Sequence, residues 1–347
     1  MGDRGVAHGS KTRTVKKTAV AEPRSHAPNR RVIAALERAA RHVAIGLFVA
    51  ISVAYLLVIE MQVRWLGTVR LFGDATLYFD ATSAWLNGGN PWTTSVDGVS
   101  FAGPPTTLLL NLPLQPFGRE VAAPFWAIAG MASWLFTIRR LRLAPYWFLF
   151  PPFWEGYLPG SPDPALFALI LLGAGPLSAL AKPYSVPGML ADGRWRAVLV
   201  AGALGLATLP LLPWGQFVDN VPEVQAAFAT QSRHTSAWGN PPLMIAAGIA
   251  LLSLGKRRAL GMAVPVLWPG AQFHYSIFSI GTGAAFIGLG VVLTFPYLAP
   301  PGVILYAVDT HGWRLIGWKL RDSEPLGDEA ADVSSTAKSG QPRPETQ

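Results

Sequence analysis

"VAIGLFVAISVAYLLVI", residues 43–59, is an apolar run without a single charged side chain. A run of this length can cross the hydrocarbon core of a bilayer as a helix. Other apolar runs follow along the chain, and they are continuous rather than alternating, which favours membrane helices over the strands of a barrel. We therefore expect an all-α membrane protein built as a polytopic helical bundle.

The composition of the 347-residue chain points to the same class, because 51% of its residues are hydrophobic and only 14% are charged. A soluble domain typically has about a quarter of its residues charged. The chain contains no cysteine, which excludes disulfides, thiolate nucleophiles and cysteine metal sites.

Most of the net charge of +8 lies at the start of the chain, where residues 1–42 hold ten Lys and Arg against three acidic residues. This asymmetry predicts a cytoplasmic tail that follows the positive-inside rule, with no nucleic-acid partner. Residues 1–30 of this tail lack large apolar side chains, so we expect the tail to be disordered. The tail is also too long and polar for the start of a cleaved signal peptide, which indicates that the first apolar run is a retained span. A transmembrane domain over 43–308 and a polar, disordered cytoplasmic tail over 309–347 should follow.

The apolar runs predict about eight transmembrane helices, with a range of seven to ten and both termini in the cytoplasm. The cytoplasmic ends are marked by "RRLR" at 139–142, "GRWR" at 193–196 and "KRR" at 256–258. The segment 164–193 is either one span or a hairpin broken near 173–176, and 298–308 could add a further short span. The remaining spans are expected at 43–59, 121–138, 144–158, 197–214, 242–254, 259–273 and 276–297.

Residues 60–120 form the first outer loop in this topology, and they include "GDATLYFDATSAWLNGGNPW" at 73–92. A helix over 74–86 would place Asp74, Tyr78, Ala81 and Trp85 on one stripe, with Asp80 pointing elsewhere. A second helix is expected over 104–118, where it would be too short to cross a bilayer. The loop therefore predicts two interfacial helices on the outer leaflet.

The loop contains, in this order, Asp74, Tyr78, Ala81, Leu86, Gly88, Pro91, Trp92, Phe101, Pro104, Pro105, Pro113 and Leu114. This order resembles the first outer loop of family 87 of the GT-C glycosyltransferase superfamily. Weaker similarities follow at Gly160, at Lys182–Pro183 and in "WPGAQFHYSIF" at 268–278, whereas Ser161 stands where the family has glutamine. The chain also has Trp92 where tyrosine is usual.

The resemblance implies a GT-C-type bundle in a bacterial inner (plasma) membrane. Its activity would be that of a hexosyltransferase, most simply a mannosyltransferase. The donor would be a polyprenyl-phosphate sugar, the acceptor a glycan or glycolipid on the outer face, and membrane lipid would surround the protein; no cofactor is implied. The alternative is a non-catalytic GT-C-like protein or a lipid or glycan transporter subunit.

Asp74 is the expected catalytic residue, because the acceptor hydroxyl must lose a proton as it attacks and one positioned carboxylate is enough to accept it. An aspartate at the start of a helix could instead cap that helix. The departing polyprenyl phosphate calls for cationic or hydrogen-bonding donors. The expected substrate-binding residues are Tyr78, Lys182, Arg233, His234, His274 and Tyr275.

Each of these donors has an ordinary alternative. Lys182 could snorkel to the interface, Arg233 and His234 could be solvated loop charges, and His274 with Tyr275 could belong to an aromatic belt.

Glu155 and Asp163 flank a tight turn rich in proline and glycine, and we expect them to serve that turn or the start of a helix. Asp74 and Asp80 are six residues apart and on different helix faces, so we expect no required metal.

Overall fold

The computed structural model describes residues 30–66, 71–232, 236–280 and 298–315. These residues are mostly helical, as expected for an all-α protein. The strands described are two short ones, Ser95–Val96 and Val99–Ser100, which pair antiparallel in one hairpin. Both predicted terminal tails lie largely outside the described residues, as do Arg233, His234 and most of the span expected at 276–297.

The α-helices of the described ranges are numbered in chain order. They are α1 Arg30–Met61, α2 Gly73–Leu86, α3 Ala122–Arg140, α4 Pro151–Tyr157, α5 Asp163–Leu171, α6 Gly175–Ala181, α7 Val186–Ala191, α8 Trp195–Ala207, α9 Trp214–Asp219, α10 Val221–Ser232, α11 Pro241–Ser253, α12 Lys256–Leu267 and α13 Ala299–Leu315. Shorter 3-10 helices include Pro105–Leu110, Leu112–Phe117, Pro145–Leu149, Pro183–Ser185 and Phe273–Ser279.

Two helical segments among the described residues are long and apolar enough to cross a membrane, Arg38–Arg64 and Arg119–Arg140. They contain the first two expected spans. Three further apolar helices, Trp195–Ala207, Pro241–Ser253 and Ala299–Val308, are shorter than the about 17 residues that a span requires. The total of eight spans and their orientation stay predictions.

Prolines break the runs that the sequence analysis expects to be continuous. The expected span at 144–158 is divided at Phe150 into Pro145–Leu149 and α4, because Pro151 and Pro152 begin a new helix. The helix expected over 104–118 is likewise two 3-10 helices. There Pro113 and Pro116 each lack the N–H that a continuous α-helix needs.

The segment 164–193 follows its broken alternative. Helix α5 ends before Gly173, whose φ of +87° reverses the chain, and α6 ends before the Lys182–Pro183 pair. The residue before a proline is driven to extended backbone, and Lys182 has a φ of −142° and a ψ of 110°. The break therefore turns Lys182 out of the helical path.

Two of the segments expected at the cytoplasmic side meet in space. Asp192 lies 3.8 Å from Arg194, in "GRWR", and 3.8 Å from Arg257, in "KRR". The two segments are therefore neighbours in the structure, and the side of the membrane that they face stays a prediction.

The chain divides into two compact units, 1–41 and 42–347, with the boundary inside α1. The core of the second unit is rich in aromatic rings. Trp134 stacks on Phe153 with ring centroids 4.8 Å apart, and Phe150 packs beside both Trp134 and Phe48.

Candidate active site

The start of α2 is fixed by the backbone of a distant turn. The backbone N–H of Phe72 donates to the carbonyl oxygen of Leu158 at 2.7 Å, and the backbone N–H of Asp74 donates to the carbonyl oxygen of Pro159 at 2.8 Å. The N-cap position belongs to Phe72, and its side chain makes no capping bond. Within the described part of the chain, no residue donates a hydrogen bond to the Asp74 carboxylate. Helix capping therefore does not explain this aspartate.

Gly160 lets the turn approach α2 closely. Its φ is +79°, and a Cβ atom added there would lie 2.8 Å from the Cβ of Ala75. Non-glycine residues rarely adopt this φ, and real Cβ atoms do not come so close. The contact holds Asp74 beside the segment that leads to Asp163.

Gly160→Ala is expected to lower the free energy of unfolding by about 2–4 kcal/mol, because backbone strain and overlap with Ala75 add together. Gly173→Ala is the matched control: its φ is +87°, but nothing lies within 4 Å of an added Cβ. The control should cost about 1–2 kcal/mol, from the strain alone. Unfolding in detergent checks the difference, and equal losses would show that the contact with α2 is unimportant.

Asp163 is the centre of a buried polar cluster. Its Oδ1 lies 3.1 Å from Nζ of Lys182 and accepts a hydrogen bond from the hydroxyl of Tyr184. Its Oδ2 accepts from Ser161 at 2.8 Å and lies 2.8 Å from Nε2 of His274. That last contact has ion-pair distance, but among the described residues Nε2 of His274 has no partner that meets hydrogen-bond geometry. One carboxylate thus gathers four side chains.

Lys182 is enclosed by aromatic rings as well as by this carboxylate. Its Nζ lies 5.2 Å from the ring centre of Tyr78, 5.4 Å from that of Tyr184 and 6.0 Å from that of Tyr275. Such distances allow cation–π attraction, which is stronger when the cation is desolvated. The Lys182 side chain is only 7% exposed. It therefore does not snorkel into solvent.

His274 and Tyr275 reach the cluster from the 3-10 helix Phe273–Ser279. Tyr275 stacks on Tyr184 with ring centres 4.1 Å apart. His274 packs on Gly156 of α4, where an added Cβ would lie 3.1 Å from the Cβ of the histidine. Both residues are buried, so they are not part of a lipid-facing aromatic belt.

Two buried threonines connect the 3-10 helix Pro105–Leu110 to α2 on one side and to the segment that bears Lys182 on the other. The hydroxyl of Thr82 donates to the carbonyl oxygen of Leu108 at 3.1 Å, and the hydroxyl of Thr107 donates to the carbonyl oxygen of Ala181 at 2.7 Å. Ala181 directly precedes Lys182. The 3-10 helix Pro105–Leu110 therefore holds α2 and Lys182 together.

Asp74 lies within electrostatic range of the cluster. The loss of solvation on burial raises the pKa of its carboxyl group. His274 and Lys182 oppose that effect, whereas Asp163 and Glu155 add to it. Asp74 keeps some exposed surface as a residue. A carboxylate of raised pKa accepts a proton more readily than an ordinary aspartate does.

No family model, curated protein or solved structure matches this chain.

The structure brings together five of the residues expected from the sequence. Asp74 and Tyr78 come from α2, Lys182 from the end of α6, and His274 with Tyr275 from Phe273–Ser279. Arg233 and His234 lie outside the described residues. Asp80 contacts Arg119 at 2.8 Å on another side of α2, as the helical spacing predicts.

Sequence reasoning missed the roles of Asp163 and Tyr184. Asp163 does open α5, but its carboxylate faces the cluster, so the interpretation as a turn residue is incomplete. One signal could have found it: a lysine in an apolar region needs a charged partner, and Asp163 is the nearest acidic residue before Lys182. Glu155 accepts a hydrogen bond from Tyr55 of α1 rather than serving only the turn.

Two other features complete the surroundings. Among the described residues, no group of three or more His, Asp or Glu side chains is placed to hold a metal ion. A cavity of about 370 Å³ borders Gly73 and Thr76 of α2, together with Asp97, Arg119 and Glu120. Helical spacing puts Thr76 on nearly the opposite face from Asp74, so this cavity is separate from the cluster.

Proposed function

We propose that this chain is a polytopic membrane hexosyltransferase of GT-C type. It transfers a sugar, most simply mannose, from a polyprenyl-phosphate donor to a glycan or glycolipid acceptor on the outer face of a bacterial inner membrane. The observation that supports this function is the convergence of Asp74, Lys182 and His274, which are 200 residues apart at the extremes, around one buried cluster.

The reaction needs a base and a stabilised leaving group. An acceptor hydroxyl oxygen bonds to the anomeric carbon while the bond from that carbon to the phosphate oxygen breaks. The hydroxyl proton passes to Asp74, and the bonding electrons leave with the polyprenyl phosphate. Lys182 and His274 are the cationic or hydrogen-bonding groups available to the phosphate, and cationic donors form the stronger hydrogen bonds to such oxygens.

The raised pKa of Asp74 predicts the pH dependence of transfer. The base works only when deprotonated, so kcat/KM should fall as the pH drops through the pKa of Asp74. Because burial raises that pKa above 3.8, the loss should begin at a higher pH than an ordinary aspartate gives. Initial rates in proteoliposomes across the acidic range check this, with recovery on neutralisation as the control for denaturation. A half-loss at or below pH 3.8 would contradict it.

The direct test is transfer by the wild-type protein. Purified chain in proteoliposomes is given synthetic polyprenyl-phosphate mannose, polyprenyl-phosphate glucose and a nucleotide sugar, each with a glycolipid acceptor mixture. We expect a sugar-labelled glycolipid when the donor is a polyprenyl-phosphate sugar and no labelled glycolipid when the donor is the nucleotide sugar. Transfer from the nucleotide sugar alone would overturn the donor class.

The pairing of Lys182 and His274 with Asp163 favours a second candidate, a GT-C-like protein without catalysis or a lipid or glycan transporter subunit. Both side chains are already engaged by a carboxylate, and paired ionisable groups inside membrane proteins are frequent in transporters. A wild-type protein inert toward every donor, but able to move a fluorescent polyprenyl phosphate across vesicles, would support this candidate.

A further inference from the structure

The Asp163 carboxylate has more partners than a simple ion pair requires. Lys182, Tyr184, Ser161 and His274 all contact it, and its side chain is only 1% exposed. These partners come from the turn before α5, the end of α6, the 3-10 helix Pro183–Ser185 and the 3-10 helix Phe273–Ser279. One buried group therefore fixes side chains from separate parts of the chain.

We infer that Asp163 is a positioning residue, which holds Lys182 and His274 in the geometry that binds and stabilises the departing polyprenyl phosphate. This inference rests on the proposed function. Asp163 does not contact the sugar or the acceptor in this scheme; it acts through the two donors. Each carboxylate oxygen contacts one of the two donors, since Oδ1 faces Lys182 and Oδ2 faces His274.

The arrangement favours positioning over charge neutralisation alone. Neutralising Lys182 requires one contact, yet Tyr184 and Ser161 also donate to the same carboxylate and restrict its rotation. Tyr184 is itself held by stacking on Tyr275. Rigid support of this kind matters because a misplacement of about 1 Å can cost about 100-fold in rate.

Asp163→Asn keeps the shape of the side chain and removes its charge. We expect kcat per folded molecule to fall about 100-fold, because Lys182 and His274 lose their common anchor. The KM for the donor should stay within about threefold or decrease, since the site becomes more positive and still attracts phosphate. Loss of stability alone would reduce the amount of folded protein and leave both constants unchanged.

Asp163→Glu is the variant to measure if Asp163→Asn does not fold. It keeps the charge and moves the carboxylate by one methylene, so kcat should still fall by at least about tenfold. Asp192→Asn is the matched control, because Asp192 also lies near two basic side chains but outside the cluster. If whichever of the two Asp163 variants folds keeps kcat within twofold of the wild type, the positioning role is overturned.

A second measurement separates this inference from the proposed reaction. Nitrogen-15 NMR of histidine-labelled protein, with the His274 signals assigned through His274→Gln, reports the imidazole environment without any substrate. The signals should shift in Asp163→Asn, or in Asp163→Glu if only that variant folds, and not in Asp192→Asn. If the wild type transfers no sugar but the shift occurs, the reaction fails and the positioning of His274 stands. Unchanged His274 signals would overturn the positioning role even in an active enzyme.

Discussion

Replacing Asp74 by Asn is expected to lower the rate of sugar transfer from polyprenyl-phosphate mannose by about 10³-fold, within the range that a general base contributes. The substitution keeps the shape of the side chain and the backbone N–H that bonds to Pro159. Folding and membrane insertion should therefore be retained. Radiolabelled transfer in proteoliposomes measures the rate, and size-exclusion chromatography in detergent checks the fold.

Asp80→Asn is the matched control on the same helix. Its side chain is 29% exposed and contacts Arg119 rather than the cluster, so transfer should stay within about twofold, as expected for a surface pair. A retained rate in Asp74→Asn, or an equal loss in both variants, would exclude Asp74 as the base. Labelling that places residue 74 on the cytoplasmic side would also exclude it, because an acceptor on the outer face could not reach it.

Replacing Lys182 by Met is expected to lower the free energy of unfolding by about 3–5 kcal/mol. The reason is that Asp163 would remain buried without its ammonium partner, and breaking a buried ion pair from one side leaves an uncompensated charge. Thermal unfolding in detergent, with scattering and intrinsic fluorescence as readouts, measures the loss.

The double variant Lys182→Met with Asp163→Asn tests the cause. Removing both charges should recover most of the loss, because well-packed neutral side chains can replace a buried pair. Arg119→Met breaks the more exposed pair with Asp80 and should cost only about 0–1 kcal/mol. A double variant no more stable than Lys182→Met alone would show that the buried charge is not the source of the loss.

The sequence predicted the helices whose apolar run or helical periodicity is not interrupted by a proline beyond the first turn. The expected helices at 43–59 and 74–86 lie within α1 and α2, and the one at 121–138 agrees with α3 except at Val121, which ends a 3-10 helix. Hydrophobic pattern and length suffice to identify these helices. Prediction failed where local backbone chemistry competes with hydropathy. At 144–158 and 104–118, hydropathy favours one continuous helix, but prolines remove donors and divide each segment.

The site was predictable only in part, for a different reason. Asp74 and Lys182 could be found because each is a charged residue within a recognisable local pattern. Asp163 stands 19 residues before Lys182 and 111 before His274. Neither the helical nor the strand period predicts which side chains meet over such separations. Only the packing of α5 against the end of α6 and Phe273–Ser279 brings these groups together.

The backbone hydrogen bonds between the start of α2 and the turn at 158–160 limit how the parts of the site can move relative to one another. The backbone N–H groups of Phe72 and Asp74 donate to the carbonyl oxygens of Leu158 and Pro159. A displacement of α2 would therefore break these hydrogen bonds unless the residues that lead to Asp163 moved with it. The positions of Asp74 and Asp163 are therefore coupled through this turn, although the two acids lie on different helices.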